Sequence, residues 1–326
     1  MKKILYYLAG LIFFILFVSQ FNIDFSIFLS VQKPEFILLA FICLFVSLIF
    51  QSLRLKALLL SFTSEKTKFS DLFKLELINR FFLYVLPARL NLLAKAGIIS
   101  RNYKLTKTDS VAITTFEQVI DFWMILIPAA IGLIFFISLF NSLPVPIILA
   151  FFALMFVVSI GFFMVPQGLF EVFILKSEKI KISFLSRIII FLLKFARDMR
   201  VNWIKLIKST HFGTVFIYTI LYWSASLLSF YFLFFAVNSS VDLIPLAISI
   251  SFALFAGVLS TIPGGLGVRE SAVILVLGFF AVSYDVSFFV VVVNRLLVCV
   301  FLFFGYFLLL KRGYSTLEEI KRKFLN

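Results

Sequence analysis

Arg269 and Glu270 follow directly on Pro263-Gly264-Gly265-Leu266-Gly267, between two apolar stretches. Proline removes a backbone donor and glycine admits dihedrals that other residues avoid, so a helix must break there. A guanidinium in the first turn of the next helix adds its charge to the positive helix end. Together they suit an anion such as a phosphate, and Arg can grip it with two parallel hydrogen bonds. The plainer alternative is a turn whose Arg and Glu only pair with neighbours. A second break, Pro87-Ala88-Arg89-Leu90-Asn91, offers Arg89 as a further cation.

Glu117 and Asp121 lie four residues apart, on one helix face, where two carboxylates suit proton coupling or an Arg clamp; solvated charges at a membrane interface are the alternative. Asn294 and Arg295 sit well inside an apolar run, and Arg295 is also a candidate counterion for Glu270. Other chemistries find no footing. His211, Cys43 and Cys299 are too scattered for a metal site, and no Walker spacing or strand–loop–helix context supports a nucleotide loop. Both Cys lie in apolar runs and read as small buried hydrophobes. No cofactor is expected.

The elements that must position these residues are membrane helices. The 326 residues are 63% hydrophobic and only 14% charged, too apolar for a water-soluble fold, with a mean hydropathy of +1.13. An ionisable residue within such a segment costs about 2.5–3.5 kcal/mol on insertion scales, so each is expected to have a partner or a task. Backbone freed at the breaks must be buried in protein or line a wet cavity. Six stretches suffice to cross a bilayer, which takes about 20 apolar residues: 4–21, 36–53, 116–138, 146–166, 212–236 and 286–310. The first follows Lys2-Lys3 like a signal peptide, but its apolar run is long and Ser19-Gln20-Phe21 is a poor cleavage site, so a retained span is expected. Two further apolar segments, 70–100 and 244–283, are interrupted at Pro87 and Pro263.

The net charge of +14 resides in the gaps between apolar runs, which marks membrane topology rather than a nucleic-acid groove. Segment 54–115 carries Arg54, Lys56, Lys66, Lys68, Lys74, Arg80, Lys95, Arg101, Lys104 and Lys107 among its basic residues, and segment 167–210 is likewise basic. By the positive-inside rule these segments and both termini are cytoplasmic, in a plasma (inner) membrane. Each interrupted segment then returns to the side it left as a re-entrant hairpin, or both arms cross fully and give ten spans with the same end points. Residues 184–208 mix apolar runs with Arg and Lys and read as a helix lying on anionic lipid, within a cytoplasmic linker 167–210. The tail 314–326 suits a short amphipathic helix with Thr316 and Glu319 as a capping box. Trp123, Trp203, Trp223 and His211 read as interfacial or packing residues.

The two broken segments resemble each other. Aligned on their prolines, Leu90 meets Leu266, Ala96 meets Ala272 and Ile98 meets Ile274. One unit, about 36–138, is entered from outside; the other, about 212–310, from inside. An inverted repeat with Pro/Gly-broken helices points to a midplane site. The expected architecture is therefore an all-α polytopic bundle, one integral membrane domain over 1–326, with six full spans plus two re-entrant hairpins.

Pro263-Gly264-Gly265-Leu266-Gly267-Val268-Arg269-Glu270 resembles the signature of the lysylphosphatidylglycerol synthase transmembrane region, also called the flippase-like domain family. Asn79-Arg80 through Pro87-Ala88-Arg89-Leu90 resembles its other signature, as does Glu117-Gln118-Val119-Ile120-Asp121 at the start of the third span. The chain has Asn91 and Leu92 where the first motif usually continues with Gly and an acid, and Gln118 where a basic residue is usual. The resemblance implies translocation of lipids or lipid-linked headgroups between leaflets. In aminoacyl-lipid synthases a soluble transferase domain follows; this chain stops at Asn326, so aminoacyl transfer by it alone is not expected.

The function expected is thus a lipid flippase or headgroup translocator with a midplane anion site. Arg269 and Arg89 would hold a phosphate, and Glu270, Glu117 and Asp121 would pair with those cations or with a cationic headgroup. The partner is a membrane lipid, not nucleic acid. The rivals are a membrane transferase acting on a lipid-linked substrate, which would want a cluster of acidic metal ligands, and a non-catalytic accessory subunit for an envelope or glycan biosynthesis enzyme.

Overall fold

The computed structural model describes residues 23–63, 67–86, 90–136, 166–178, 183–260 and 262–311, together with Ile15 and Ser19. The expected spans 4–21 and 146–166 lie almost wholly outside these residues, as do Pro87, Arg89 and the tail with Thr316 and Glu319. Among the described residues all regular structure is helical. In chain order the helices are α1 (Glu35–Leu60), α2 (Phe69–Val85), α3 (Asn91–Asn102), α4 (Lys107–Phe136), α5 (Gln167–Glu178), α6 (Ser183–Lys208), α7 (Phe212–Ala236), α8 (Leu243–Leu259), α9 (Val268–Phe279) and α10 (Tyr284–Lys311).

Four of them, α1, α4, α7 and α10, are long and apolar enough to cross a membrane. They cover the expected spans 36–53, 212–236 and 286–310, and the described part of 116–138 as far as Phe136. Helix α1 runs past Arg54 and Lys56 to Leu60, and α4 starts at Lys107 rather than at 116. Charges that look like span boundaries in the sequence are here carried inside helices. Large apolar side chains face outward along these helices, among them Leu38, Phe216, Ile217, Leu296, Phe303 and Phe307. Such a surface suits lipid and would be a liability in water.

Each interrupted segment is a pair of shorter helices. α2 has 17 residues and α3 has 12; α8 has 17 and α9 has 12. At a rise of about 1.5 Å per residue, a 12-residue arm covers about 18 Å of the roughly 30 Å of hydrocarbon. The flanking long helices match as well: 26 and 30 residues around the first pair, 25 and 28 around the second. Helices α7, α9 and α10 each start the same distance along the chain after α1, α3 and α4.

Helices α1 and α7, the first of each series, make a long antiparallel contact; the amides of Gln32 and Lys33, before α1, donate to Ala236 O at the end of α7. Both helices carry small buried residues, Ala40, Ser47 and Ser52 on α1 and Thr219, Ala225 and Ser229 on α7. Without a hydrophobic drive between helices in lipid, such close backbone approach supplies the packing energy. The last helix of each series crosses to the first broken arm of the other. A Cβ on Gly305 of α10 would stand 2.3 Å from Leu77 O on α2, and one on Gly132 of α4 would stand 2.3 Å from Ile248 Cγ2 on α8.

Helix α6 lies against this bundle through Met199, Trp203 and Leu206, with Trp203 Nε1 donating to Ala112 O at 3.1 Å. Towards its start the same apolar stripe is exposed at Phe191, Leu192 and Phe195, with Arg187 and Lys194 on the opposite face.

Candidate functional site

The second break is built from glycines in backbone conformations that other residues rarely adopt. Ser260 closes α8 and its hydroxyl donates to Gly257 O. Pro263–Gly265 then forms one 3-10 turn, with Gly264 and Gly265 at φ 64° and 63° and Gly267 at φ 82°. These are left-handed values that favour glycine. Space demands it too: a Cβ on Gly264 would lie 2.6 Å from Tyr84 Cδ1, and one on Gly265 3.1 Å from Gly257 Cα. Tyr84 belongs to α2, so the turn of one broken segment touches the other near its own break.

Glu270 does two jobs. Its Oε2 accepts the Gly267 N–H at 2.7 Å, the third residue of α9 reaching back to cap the helix start. Its Oε1 accepts Arg295 Nε from α10. Arg295 also donates to the Tyr84 hydroxyl and to Gly264 O, the latter at 2.9 Å, and its guanidinium stacks 5.0 Å from the Tyr84 ring centroid. One side chain thus ties α10, α9, the glycine turn and α2 together. Asn294, its neighbour, donates to Ser229 Oγ on α7 at 3.3 Å.

Arg269 is different. Among the described residues it makes no hydrogen bond and no ion pair, because the adjacent carboxylate is already held by Arg295. It is half-buried and lines a small cavity with Tyr84, Glu270, Asn294 and Arg295. That cavity, about 10 Å³, holds at most one water molecule.

Next to this cluster lies a second one, which sequence reasoning found only in part. Asp121 takes the Arg54 guanidinium with both oxygens, at 2.6 and 3.0 Å, and accepts from Trp223 Nε1 at 3.0 Å. Glu117 stands 3.6 Å from Arg54 Nε and accepts Lys95 Nζ at 2.5 Å. Lys95 bridges onward to Glu76 at 2.6 Å, and Glu76 is joined through Asn79 to Asn91. Arg54, Glu76, Lys95 and Glu117 are all at most 2% exposed.

The expected alternative of solvated interfacial carboxylates at Glu117 and Asp121 therefore fails for Glu117, which is buried and paired. Their partners are Arg54 and Lys95, not Arg269. Despite Asn91, Leu92 and Gln118, the first broken segment is charge-paired after all, with Lys95 supplying the cation. Arg54 and Lys95, which read in the sequence as charges of a connection, are interior helix residues, as is Glu76. Lys56, Lys68, Lys74, Arg101, Lys104 and Lys107 still bias that end. The missed residues do leave a trace in the sequence: Leu75-Glu76-Leu77 and Ala94-Lys95-Ala96 are single charges with apolar neighbours on both sides.

The Arg54 guanidinium also sits 5.3 Å from the ring centroid of Tyr222 on α7. Arg89 and Pro87 lie outside the described residues. Among the described residues no three His, Cys, Asp or Glu side chains converge as metal ligands.

A family model described as Lysylphosphatidylglycerol synthase TM region matches residues 4–305. Neither a curated protein nor a solved structure matches the chain.

Proposed function

This chain belongs to the lysylphosphatidylglycerol synthase TM region family, and from that premise we propose that it carries a phosphate-bearing lipid, or a lipid-linked headgroup, between the leaflets of its membrane. The observation that carries this reading is Arg269: a half-buried guanidinium at the positive end of α9, beside the glycine turn, with no carboxylate partner among the described residues while its neighbour Glu270 is taken by Arg295. Charges inside a membrane protein are costly, and one left without a counterion is kept for a ligand. Helix start and guanidinium favour the same kind of ligand, an anion.

The matched helix lengths, the antiparallel α1–α7 contact and the crossed α10–α2 and α4–α8 packing support an inverted repeat with hairpins that enter from opposite faces. In that reading the cavity beside Arg269 is closed, and a headgroup enters when one repeat rocks against the other. The basic ends of α3, α4 and α6 face the cytoplasm with both termini, in the plasma membrane, and α6 rests on anionic lipid.

The test is a leaflet-resolved lipid assay in proteoliposomes, with a panel of phospholipids and polyprenyl-phosphate sugars. Movement of at least one phosphate-bearing lipid, lost in Arg269→Ala, is the expected result. A folded wild-type protein that moves none of them would defeat the proposal.

A further inference from the structure

The carboxylates that share a site are not Glu117 and Asp121 but Glu117 and Glu76. Asp121 is balanced, since both its oxygens accept from the Arg54 guanidinium. Glu117 and Glu76 meet on a single ammonium. Lys95 Nζ donates to Glu117 Oε2 at 2.5 Å and to Glu76 Oε1 at 2.6 Å. All three residues are at most 2% exposed. Across the whole cluster three carboxylates, Glu76, Glu117 and Asp121, therefore face two cations, Arg54 and Lys95.

Among the described residues the helices around α4 do not supply a third cation. Arg80 follows Glu76 by one turn on α2, but its Nη2 donates to Ser47 Oγ and its guanidinium lies over the Phe301 ring. Helix α6 meets α4 with Met199 and Trp203. Helix α7 brings Trp223 to Asp121 and Tyr222 to Arg54. Helix α8 contains no ionisable residue. Two carboxylates on one ammonium, out of water, repel each other and disfavour a second negative charge. The ligand that removes this excess without needing a cavity is a proton. The free oxygens say where it sits. Glu76 Oε2 already accepts from Asn79 Nδ2, whereas Glu117 Oε1 is buried and accepts no hydrogen bond among the described residues, with Arg54 Nε standing 3.6 Å away.

We infer that Glu76 and Glu117 hold one proton between them at neutral pH, carried on Glu117 Oε1, with Lys95 as their shared donor. The site goes beyond the translocation reading and does not depend on the cargo. It lies where α2, α3 and α4 are fastened together, so the proton bears on the first broken segment. With the proton in place the triad carries no net charge. Its loss puts two negative charges on one ammonium and loosens the hold of α3 on its neighbours. The joint between the broken arm and the long helix is thereby sensitive to a proton.

The experiment is infrared spectroscopy of the detergent-purified full chain at neutral pH, prepared in parallel in H2O and in D2O. Carboxylates in water are ionised under these conditions, so a carbonyl band from a protonated carboxyl reports a buried one. The wild type should show such a band, shifted in the D2O preparation. Glu117→Gln and Glu76→Gln should each lose it, because either change leaves one carboxylate for each cation. Glu270→Gln should keep it, since Glu270 is paired with Arg295 and lies outside the triad. Thermal unfolding of each variant shows which of them are folded, and one folded glutamine variant of the triad suffices to read the result. Absence of the band from the folded wild type, its persistence in a folded Glu117→Gln or Glu76→Gln, or its loss in a folded Glu270→Gln would each overturn the shared proton. No lipid takes part in the measurement, so each of these results leaves the translocation reading where it stands.

Discussion

Arg295 donates to Glu270 across the α9–α10 interface, and the contact has a counterpart of opposite polarity. Lys95 on α3 meets Glu117 on α4, with the cation now on the short arm and the anion on the long helix. In both halves the arm after the break is fastened to the next long helix by one buried charge pair. Glu117 and Arg295 stand at nearly equivalent places, tenth or eleventh residues beyond the starts of α4 and α10.

Removing one member of such a pair strands the other in a low-dielectric interior. Glu270→Ala should therefore destabilise the protein by about 3–5 kcal/mol, read as a lower thermal midpoint in detergent. Glu270→Ala with Arg295→Ala should recover part of that loss. If the single variant unfolds at the wild-type temperature, the pair contributes nothing to the fold.

Arg269 answers to the opposite expectation. It has no carboxylate to strand, so Arg269→Ala should insert and melt like the wild type while lipid movement is abolished. Arg269→Lys should retain a fraction, because it keeps the charge and loses the planar fork. A fall in thermal midpoint comparable to that of Glu270→Ala would make Arg269 a structural residue.

Arg54 grips Asp121 with two hydrogen bonds and is 1% exposed. Arg54→Ala is expected to cost about 3–5 kcal/mol and to lower expression, since Asp121 and Glu117 would both lose a buried cation. Arg54→Lys should cost less and still be measurable in the same melting experiment, since one ammonium cannot reproduce the paired geometry.

Gly264 has both a left-handed backbone and the Tyr84 ring against its Cα. Gly264→Ala should cost about 1–3 kcal/mol from backbone strain alone, and the displaced ring should disturb the Arg295 contact. Wild-type stability and transport in this variant would show that the turn relaxes freely.

Orientation is checked by cysteine accessibility. Residues 60–68 and 176–181 should label from the cytoplasm and 140–145 from outside, because basic connections alternate with nearly uncharged ones. Labelling of residue 142 only from the cytoplasm would reverse the orientation.

What the sequence made legible was whatever leaves a local mark. Pro263 and its glycines announce a break, and α7 begins and ends at the expected residues because its apolar run is clean. Arg269, Glu270, Asn294 and Arg295 stand out as polar residues near a break or within a span. The second cluster was half hidden. Arg54, Glu76 and Lys95 sit on three different helices, and nothing in their spacing says that they converge on Glu117. Tyr84 and Tyr222 were silent for the same reason, since a tyrosine among phenylalanines carries no positional signal until its partners are known. Charges near helix ends misled most, because a topology count treats every Lys and Arg as a loop residue, whereas burial with a partner removes it from that count.

The cavity beside Arg269 has room for about one water. Among the described residues, that space is far too small for a file of waters reaching across roughly 30 Å of hydrocarbon. This matters for an energised cell, where each elementary charge crossing a potential of about 100 mV releases roughly 2.3 kcal/mol. A protein that lines its centre with arginines and carboxylates is a ready-made leak unless something stops the current. Among the described residues, Tyr84, with Arg295 over its ring and Gly264 against it, takes up space beside Arg269 that further water would need.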